Sequence, residues 1–272
     1  MRHVRSAEVT VQTIDSKDGT TIAFERSGHG PPLVLVHGTT ADHTRWKPVL
    51  PALEMHFTVY AMDRRGRGGS GDAPGYDIAR EFEDVVALVD SIGQPAFLVG
   101  HSYGAICALE AAMYSTQVRK LVLYEPPIRT TASLYAPGLV ERLNDLLTRG
   151  DRAGVVTTFF QEVVRTTEDE LRMLRSLPNW PARVAAAHTV PRELRTTEEE
   201  YRFKASRFAG FPTPTLLLIG GESPAFFRDA VKAVHAAIPT AHVSVMAGQQ
   251  HTAMNTAPET FLRQVVGFLQ RA

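Results

Sequence analysis

The sequence predicts an α/β fold: a mostly parallel sheet of about eight strands, with an antiparallel N-terminal start and a helical segment inserted after the sixth strand. Three observations predict it. Short Leu-rich and β-branched runs alternate with segments of helical periodicity, the pattern of parallel strands whose connecting helices cover both sheet faces. The first two runs flank Lys17-Asp18-Gly19, a hairpin signal. One block, residues 126–209, breaks the alternation: it has 3 glycines in 84 residues, against 17 in the other 188, and no strand pattern.

In chain order, residues 9–14 and 21–24 form the hairpin, and buried strands follow at 33–36 and 58–62. Residues 78–92 read as a helix because Phe82, Val85, Val86, Val89 and Ile92 recur at three- and four-residue spacing. A strand at 97–99 leads into a helix over 105–114, and 121–123 is the sixth strand. Inside the block, 139–147, 153–164 and 168–177 have helical periodicity, while Pro178, Pro181 and Pro191 mark turns between short helices. Its 13 Lys and Arg nearly balance its 11 Asp and Glu, so these charges read as a solvated face. The alternation resumes with strand 216–219, helix 225–237, strand 242–246 and helix 258–269. The expected organisation is a core of residues 1–125 and 210–272, with 126–209 as a helical cap or lid.

Composition narrows the function. The 29 Lys and Arg cancel the 29 Asp and Glu, which argues against a nucleic-acid binder, since polyanions are held by clustered cations. Cys107, the single cysteine, excludes an internal disulfide and a Cys-based zinc cluster, and reads as a small buried hydrophobe. The basic start at residues 1–10 is not followed by the apolar run of a secretory signal. Apolar stretches such as 216–219 fall far short of the ~20 residues that span a bilayer. The expectation is a cytoplasmic protein acting on a small molecule, with no nucleic-acid or membrane partner, no cofactor and no metal; a homodimer is left open.

The strongest local signal is Gly100-His101-Ser102-Tyr103-Gly104. It sits between a strand and a helix, the setting of a nucleophile elbow, in which the two glycines let neighbouring backbone approach the serine. The Tyr103 N–H then lies at a helix N-terminus. A base must come from another strand's carboxyl end, where parallel sheets build their sites. His251, just after the last strand, has that position. The strand 33–36 ends in His37-Gly38-Thr39, and the Thr39 and Tyr103 N–H groups could form the two donors of an oxyanion hole. His37 reads as a loop former. Asp63-Arg64-Arg65-Gly66-Arg67-Gly68-Gly69-Ser70-Gly71 is glycine-rich but lacks a phosphate-loop pattern, and reads as a tight turn beneath the site.

Taken together, His37-Gly38, the Asp63-to-Ser70 loop, the Gly100-to-Gly104 elbow and the late His251 resemble the α/β-hydrolase fold family over nearly the whole chain. The resemblance implies a Ser–acid–His triad. In most of the family the acid is an Asp after the seventh strand, but here that segment reads Gly220-Gly221-Glu222-Ser223-Pro224, and Ser223 holds the usual acid position. Two glutamates are candidates. Glu222 is one residue off. Glu125 ends the sixth strand ahead of Pro126-Pro127, where some relatives, including certain haloalkane dehalogenases, carry a glutamate acid. Glu125 is favoured, with Glu222 the alternative.

The expected chemistry is cleavage of a small, largely apolar carboxylic ester, thioester or lactone through an acyl-enzyme on Ser102. Relatives on the same triad include C–C bond hydrolases, cofactor-free haloperoxidases and lyases, and a ligand-binding protein with little turnover is a further reading. An Asp nucleophile is excluded by Ser102. Tyr135, Phe159, Phe160, Met173, Trp180 and Trp46 are candidates for an apolar pocket wall, and no charged pair is placed to select an acidic or basic substrate.

Overall fold

A computed structural model of the chain describes residues 10–131 and 133–271. Val9, where the first strand is expected to begin, and the basic start before it lie outside the described residues. The strands are β1 Thr10–Asp15, β2 Thr21–Gly28, β3 Pro32–Val36, β4 Thr58–Met62, β5 Ala96–His101, β6 Val118–Tyr124, β7 Thr215–Gly220 and β8 His242–Met246. They form one sheet in the order β1-β2-β4-β3-β5-β6-β7-β8. β1 pairs antiparallel with β2, and β2 antiparallel with β4; every other pairing is parallel.

Every residue of β3, β5 and β7 is buried, which is why these strands read as continuous apolar runs rather than alternating ones. The alternation reappears in which face each residue serves. Val34, Val36, Leu98 and Leu121 join one core cluster, and Leu33, Leu35, Val99 and Val122 the other. The helices before the sixth strand are α1 Leu50–Glu54, α2 Ile78–Ser91 and α3 Tyr103–Ala111. Asp77 caps α2 by accepting from the Ala79 N–H at 2.8 Å, and α2 buries Phe82, Val85, Leu88 and Val89 on the first face with most of α3.

Between β6 and β7 lie α4 Leu139–Thr148, α5 Arg152–Thr158, α6 Glu168–Ser176, α7 Trp180–Ala185 and α8 Val190–Arg195, with no strand among the described residues there. They pack around a cluster of their own, including Leu143, Val155, Phe160 and Leu171. Two expectations need correction. The helix expected over 153–164 changes at Phe159 into a wider π-type turn, Phe159–Val164, which buries both phenylalanines with Val163 and Val164. The block's charges are not all solvated: Arg183 and Glu193 are buried. Glu193 accepts from the buried Arg64 and Arg67 of the loop after β4, tying α8 to the sheet. Charge balance could not reveal this, because the partners lie more than a hundred residues upstream.

After β7 come α9 Ala225–Ala237, α10 Ala253–Thr256 and α11 Pro258–Gln270. β3 has β4 on one side and β5 on the other, so the strand order reverses there. The carboxyl ends of β3 and β5 border the crevice where open α/β sheets place ligands.

Candidate active site

Ser102 follows β5 directly, with φ 56° and ψ −128°, a left-handed conformation that a non-glycine residue adopts only when its surroundings enforce it. Three glycines make room for the turn. A Cβ on Gly100 would fall 2.5 Å from the Gly104 carbonyl oxygen and 2.6 Å from Ala105 Cα; one on Gly38 would fall 2.7 Å from Ser102 Cβ. A Cβ on Gly104 would strike the carbonyl oxygens of Val36 and His37. The Ser102 N–H donates to the Tyr124 carbonyl at 2.8 Å, locking the elbow to the end of β6.

Glu125 continues β6 by one residue, at φ 50°, and its side chain is 0% exposed. One carboxylate oxygen, Oε2, accepts from His251 Nδ1 at 2.5 Å. The other, Oε1, accepts from the Gly220 N–H and the Ser223 hydroxyl, both at 2.6 Å. Both oxygens are thus engaged, and the imidazole is held with its proton on Nδ1 and Nε2 free to accept. Phe227 stacks on His251 with ring centroids 4.4 Å apart, and His101 packs at 4.5 Å and contacts the His251 carbonyl through Nε2 at 3.0 Å. Glu222 is exposed; its N–H donates to the Gln249 carbonyl, and its carboxylate reaches neither His251 nor Ser102.

Ser102, His251, Thr39 and Tyr103 line one cavity. No hydrogen bond joins Ser102 Oγ to His251 among the described residues; the two side chains meet as walls of this space. Tyr103 is the first residue of α3, so its N–H has no partner within the helix, and the Thr39 N–H has no backbone acceptor among the described residues. Thr40, at φ 61°, bends the loop that carries Thr39. His37 Nδ1 donates to the Gly38 carbonyl at 2.9 Å while Nε2 accepts from the Arg64 N–H at 3.0 Å. Burial, aided by the Arg64 charge, pushes its pKa well down, so it is neutral and pins the loop.

The Asp63-to-Ser70 loop buttresses the elbow from below. The Arg64 guanidinium donates twice to Glu81, at 2.6 and 2.8 Å, and lies 4.5 Å from the Tyr103 ring centroid. The Tyr103 and Tyr76 hydroxyls are 2.6 Å apart. Asp42, His43 and Asp63 come close enough to share a cation, but their donor atoms are engaged: Asp63 accepts from His43 and from the Gly69 N–H, and Asp42 caps Thr44.

The cavity has two adjoining lobes of about 20 Å³ each. Phe159 and Val164 line both, Phe160 one of them. Of the other residues expected at a pocket wall, Trp46 is buried in the core, and Tyr135, Met173 and Trp180 pack within the helical segment. A roomier groove of about 520 Å³, lined by Lys17, Phe82, Val86 and Tyr114, lies elsewhere and holds no nucleophile–base pair. Two residues that no sequence signal marked, Arg45 and Arg183, line the second lobe beside Ser102 and His251.

The model of a family described as "Alpha/beta hydrolase family" matches residues 33–264. A stretch of this chain is 35% identical over 118 residues to the 2-(acetamidomethylene)succinate hydrolase of Mesorhizobium japonicum. That stretch is 41% of this chain and 42% of the other, so the match spans less than half of the curated relative. Among solved structures, an alpha/beta hydrolase from Sphaerobacter thermophilus superposes with a TM-score of 0.83 at 38% identity, covering 95% of this chain and all 100% of that one. The esterase RhEst1 from Rhodococcus sp. superposes at 0.77 with 23% identity, over 95% and 98% of the two chains; at that identity the likeness is of fold alone.

Proposed function

The chain belongs to the alpha/beta hydrolase family, and on that premise we propose that it is a serine hydrolase cleaving a small carboxylic ester, thioester or lactone. His251 takes the Ser102 hydroxyl proton as Oγ attacks the substrate carbonyl. Glu125 holds the imidazole in the required tautomer and stabilises the imidazolium that forms. The Thr39 and Tyr103 N–H groups receive the oxyanion. The leaving alcohol or thiol takes the proton from His251, and water, activated by the same histidine, then hydrolyses the acyl-enzyme. Ser–His hydrogen bonds are often unformed before substrate arrives and tighten in the complex.

The observation that carries this reading is the Glu125–His251 contact of 2.5 Å in a cavity shared with the strained Ser102. Residues 126–209 act as the cap over the core of 1–125 and 210–272. Each lobe, at about 20 Å³, has room for roughly one water, so the cap residues Phe159 and Val164 must move to admit substrate.

A fluorophosphonate probe tests the proposal, together with hydrolysis of short-chain p-nitrophenyl esters. Labelling of the wild type but not of Ser102→Ala, with turnover lost in Ser102→Ala and His251→Ala, is the expected result. A protein that neither reacts with the probe nor turns over esters would be a binding protein instead.

A further inference from the structure

Arg45 and Arg183 are buried beside the nucleophile, at 2% and 3% exposure. Arg45 belongs to the short helical turn His43–Trp46 after β3, and Arg183 to α7. Arg45 Nη1 donates to Asn255 Oδ1, and Nη2 is buried without an acceptor. Arg183 Nη1 donates to Thr40 Oγ1 at 3.2 Å and its guanidinium lies 5.4 Å from the Phe160 ring centroid, while Nε is buried without an acceptor. His101 Nδ1 and Thr252 Oγ1, in the same lobe, also have no partner.

The other buried arginines show how this chain ordinarily treats such a group. Arg64 pairs with Glu81 and Glu193, Arg65 with Asp84 and Asp18, and Arg67 with Glu193. Neither Arg45 nor Arg183 pairs with a carboxylate among the described residues; Asp42 attracts Arg183, but its Oδ1 is taken by the Thr44 N–H and hydroxyl. Burial, reinforced by the Arg183 charge, draws Arg45 down to about 9, and burial draws Arg183 down to about 10. Both remain cations at neutral pH, and a desolvated guanidinium is strongly disfavoured without a counter-charge.

We infer that Arg45 and Arg183 form an anion subsite for a free carboxylate on the substrate, so that the ester cleaved at Ser102 is a hemiester of a short dicarboxylic acid. The inference rests on the serine-hydrolase reading for the cleaved bond, but the subsite itself does not. A carboxylate matches the planar donor fork of a guanidinium, and two such forks open on the lobe that holds Ser102 and His251. Because the arginines share this lobe with Ser102 and His251, only a short spacer separates the carboxylate from the scissile carbonyl. The sequence places no charged pair to select an acidic substrate and points to a largely apolar one; the two arginines replace that expectation with a substrate that has an anionic end.

The test compares monomethyl glutarate with its neutral isostere methyl 5-methylhexanoate, and monomethyl succinate with methyl 4-methylpentanoate. The wild type should favour the hemiester in kcat/KM, and Arg183→Leu should lower the hemiester-to-neutral ratio by about 100-fold, the loss expected when one partner of a buried charge pair is removed. Arg183→Lys should recover part of it. Fluorophosphonate labelling of each variant reports whether the elbow is intact. Separately, glutarate should bind Ser102→Ala in calorimetry and fail to bind Ser102→Ala/Arg183→Leu. A wild type that labels at Ser102 but shows no hemiester preference and no glutarate binding overturns the subsite and leaves the hydrolase reading standing. Glutarate binding without labelling or turnover does the reverse. Equal binding of chloride or phosphate would mark a general anion hole and overturn the carboxylate assignment.

Discussion

Ser223 donates its hydroxyl hydrogen to Glu125 Oε1 at 2.6 Å, across the ends of two neighbouring strands. Ser223, which stands where the resemblance implies an acid, thus hydrogen-bonds a carboxylate that comes from the adjacent strand. Gly220 completes the arrangement from β7, because its N–H reaches the same oxygen and a Cβ there would fall 2.6 Å from Ser223 Oγ.

The first prediction concerns which glutamate serves His251. Glu125→Gln should lower kcat by about 10²–10⁴-fold, the range for losing a triad acid while keeping its shape. Glu222→Gln should stay within about threefold, as expected of an exposed side chain. The double variant Glu125→Ser/Ser223→Asp should regain part of the loss, because the carboxylate would return to the other strand end. Steady-state kinetics on a p-nitrophenyl ester decide it, and a collapse confined to Glu222→Gln would transfer the role.

A second prediction follows from the tightness of the elbow. Gly104→Ala drives a methyl group into two backbone carbonyls, which cannot swing aside as a side chain can. It should destabilise the fold by about 1–3 kcal/mol, measured by urea unfolding. Gly38→Ala presses instead on Ser102 Cβ. It should reduce fluorophosphonate labelling more than it reduces stability.

Glu193 provides the third. It is fully buried and is the carboxylate partner of Arg67, so Glu193→Ala leaves a buried guanidinium without its anion. A loss of about 3–5 kcal/mol is expected. Because Glu193 sits on α8 and its partners follow β4, limited proteolysis should cut first within 126–209. Unchanged melting would show that Arg67 finds another acceptor.

The fourth is a pH dependence. Burial disfavours the charged form of His43, but the Asp63 hydrogen bond and the charges of Asp63 and Glu25 outweigh it and raise its pKa above the ordinary 6.5. Nδ1 lies 2.7 Å from Asp63 and Nε2 3.1 Å from Glu25, and both nitrogens can donate only when the ring is protonated. The folded state therefore holds this proton more tightly than the unfolded chain. The stabilisation is present in full below 6.5 and is lost as pH rises through the raised folded value. His43→Gln should lower the Tm more at about pH 5.5 than at about pH 9. An equal loss at both would remove the charge from the explanation.

Much of this molecule is legible in its residues. Strands 33–36, 58–62 and 242–246 and helix 225–237 coincide with their observed extents to within a residue. For 33–36 the reason is that a strand buried on both faces must be apolar throughout, whereas 242–246 is a largely exposed edge strand marked by its β-branched residues. The elbow is equally local: Gly100, Ser102 and Gly104 have the spacing that a strained strand-to-helix turn requires. Helix 153–164 was less legible, since Phe159 and Phe160 suit a regular helix as well as the wide turn that turns Phe159 toward Ser102.

What the sequence by itself determined is the sheet, the order of its elements, and the backbone turn that carries Ser102, all matters of short-range sterics and apolar periodicity. Only the tertiary structure chose which glutamate, Glu125 rather than Glu222, stands against His251 Nδ1. That choice depends on the pairing of β6 with β7, which brings Gly220 and Ser223 to one oxygen of a residue nearly a hundred positions earlier. Only it, too, set Arg45 and Arg183 apart from the other buried arginines, Arg64, Arg65 and Arg67. A guanidinium's need for an anion is set by burial and by which carboxylates lie within reach, and neither is a local property of the chain.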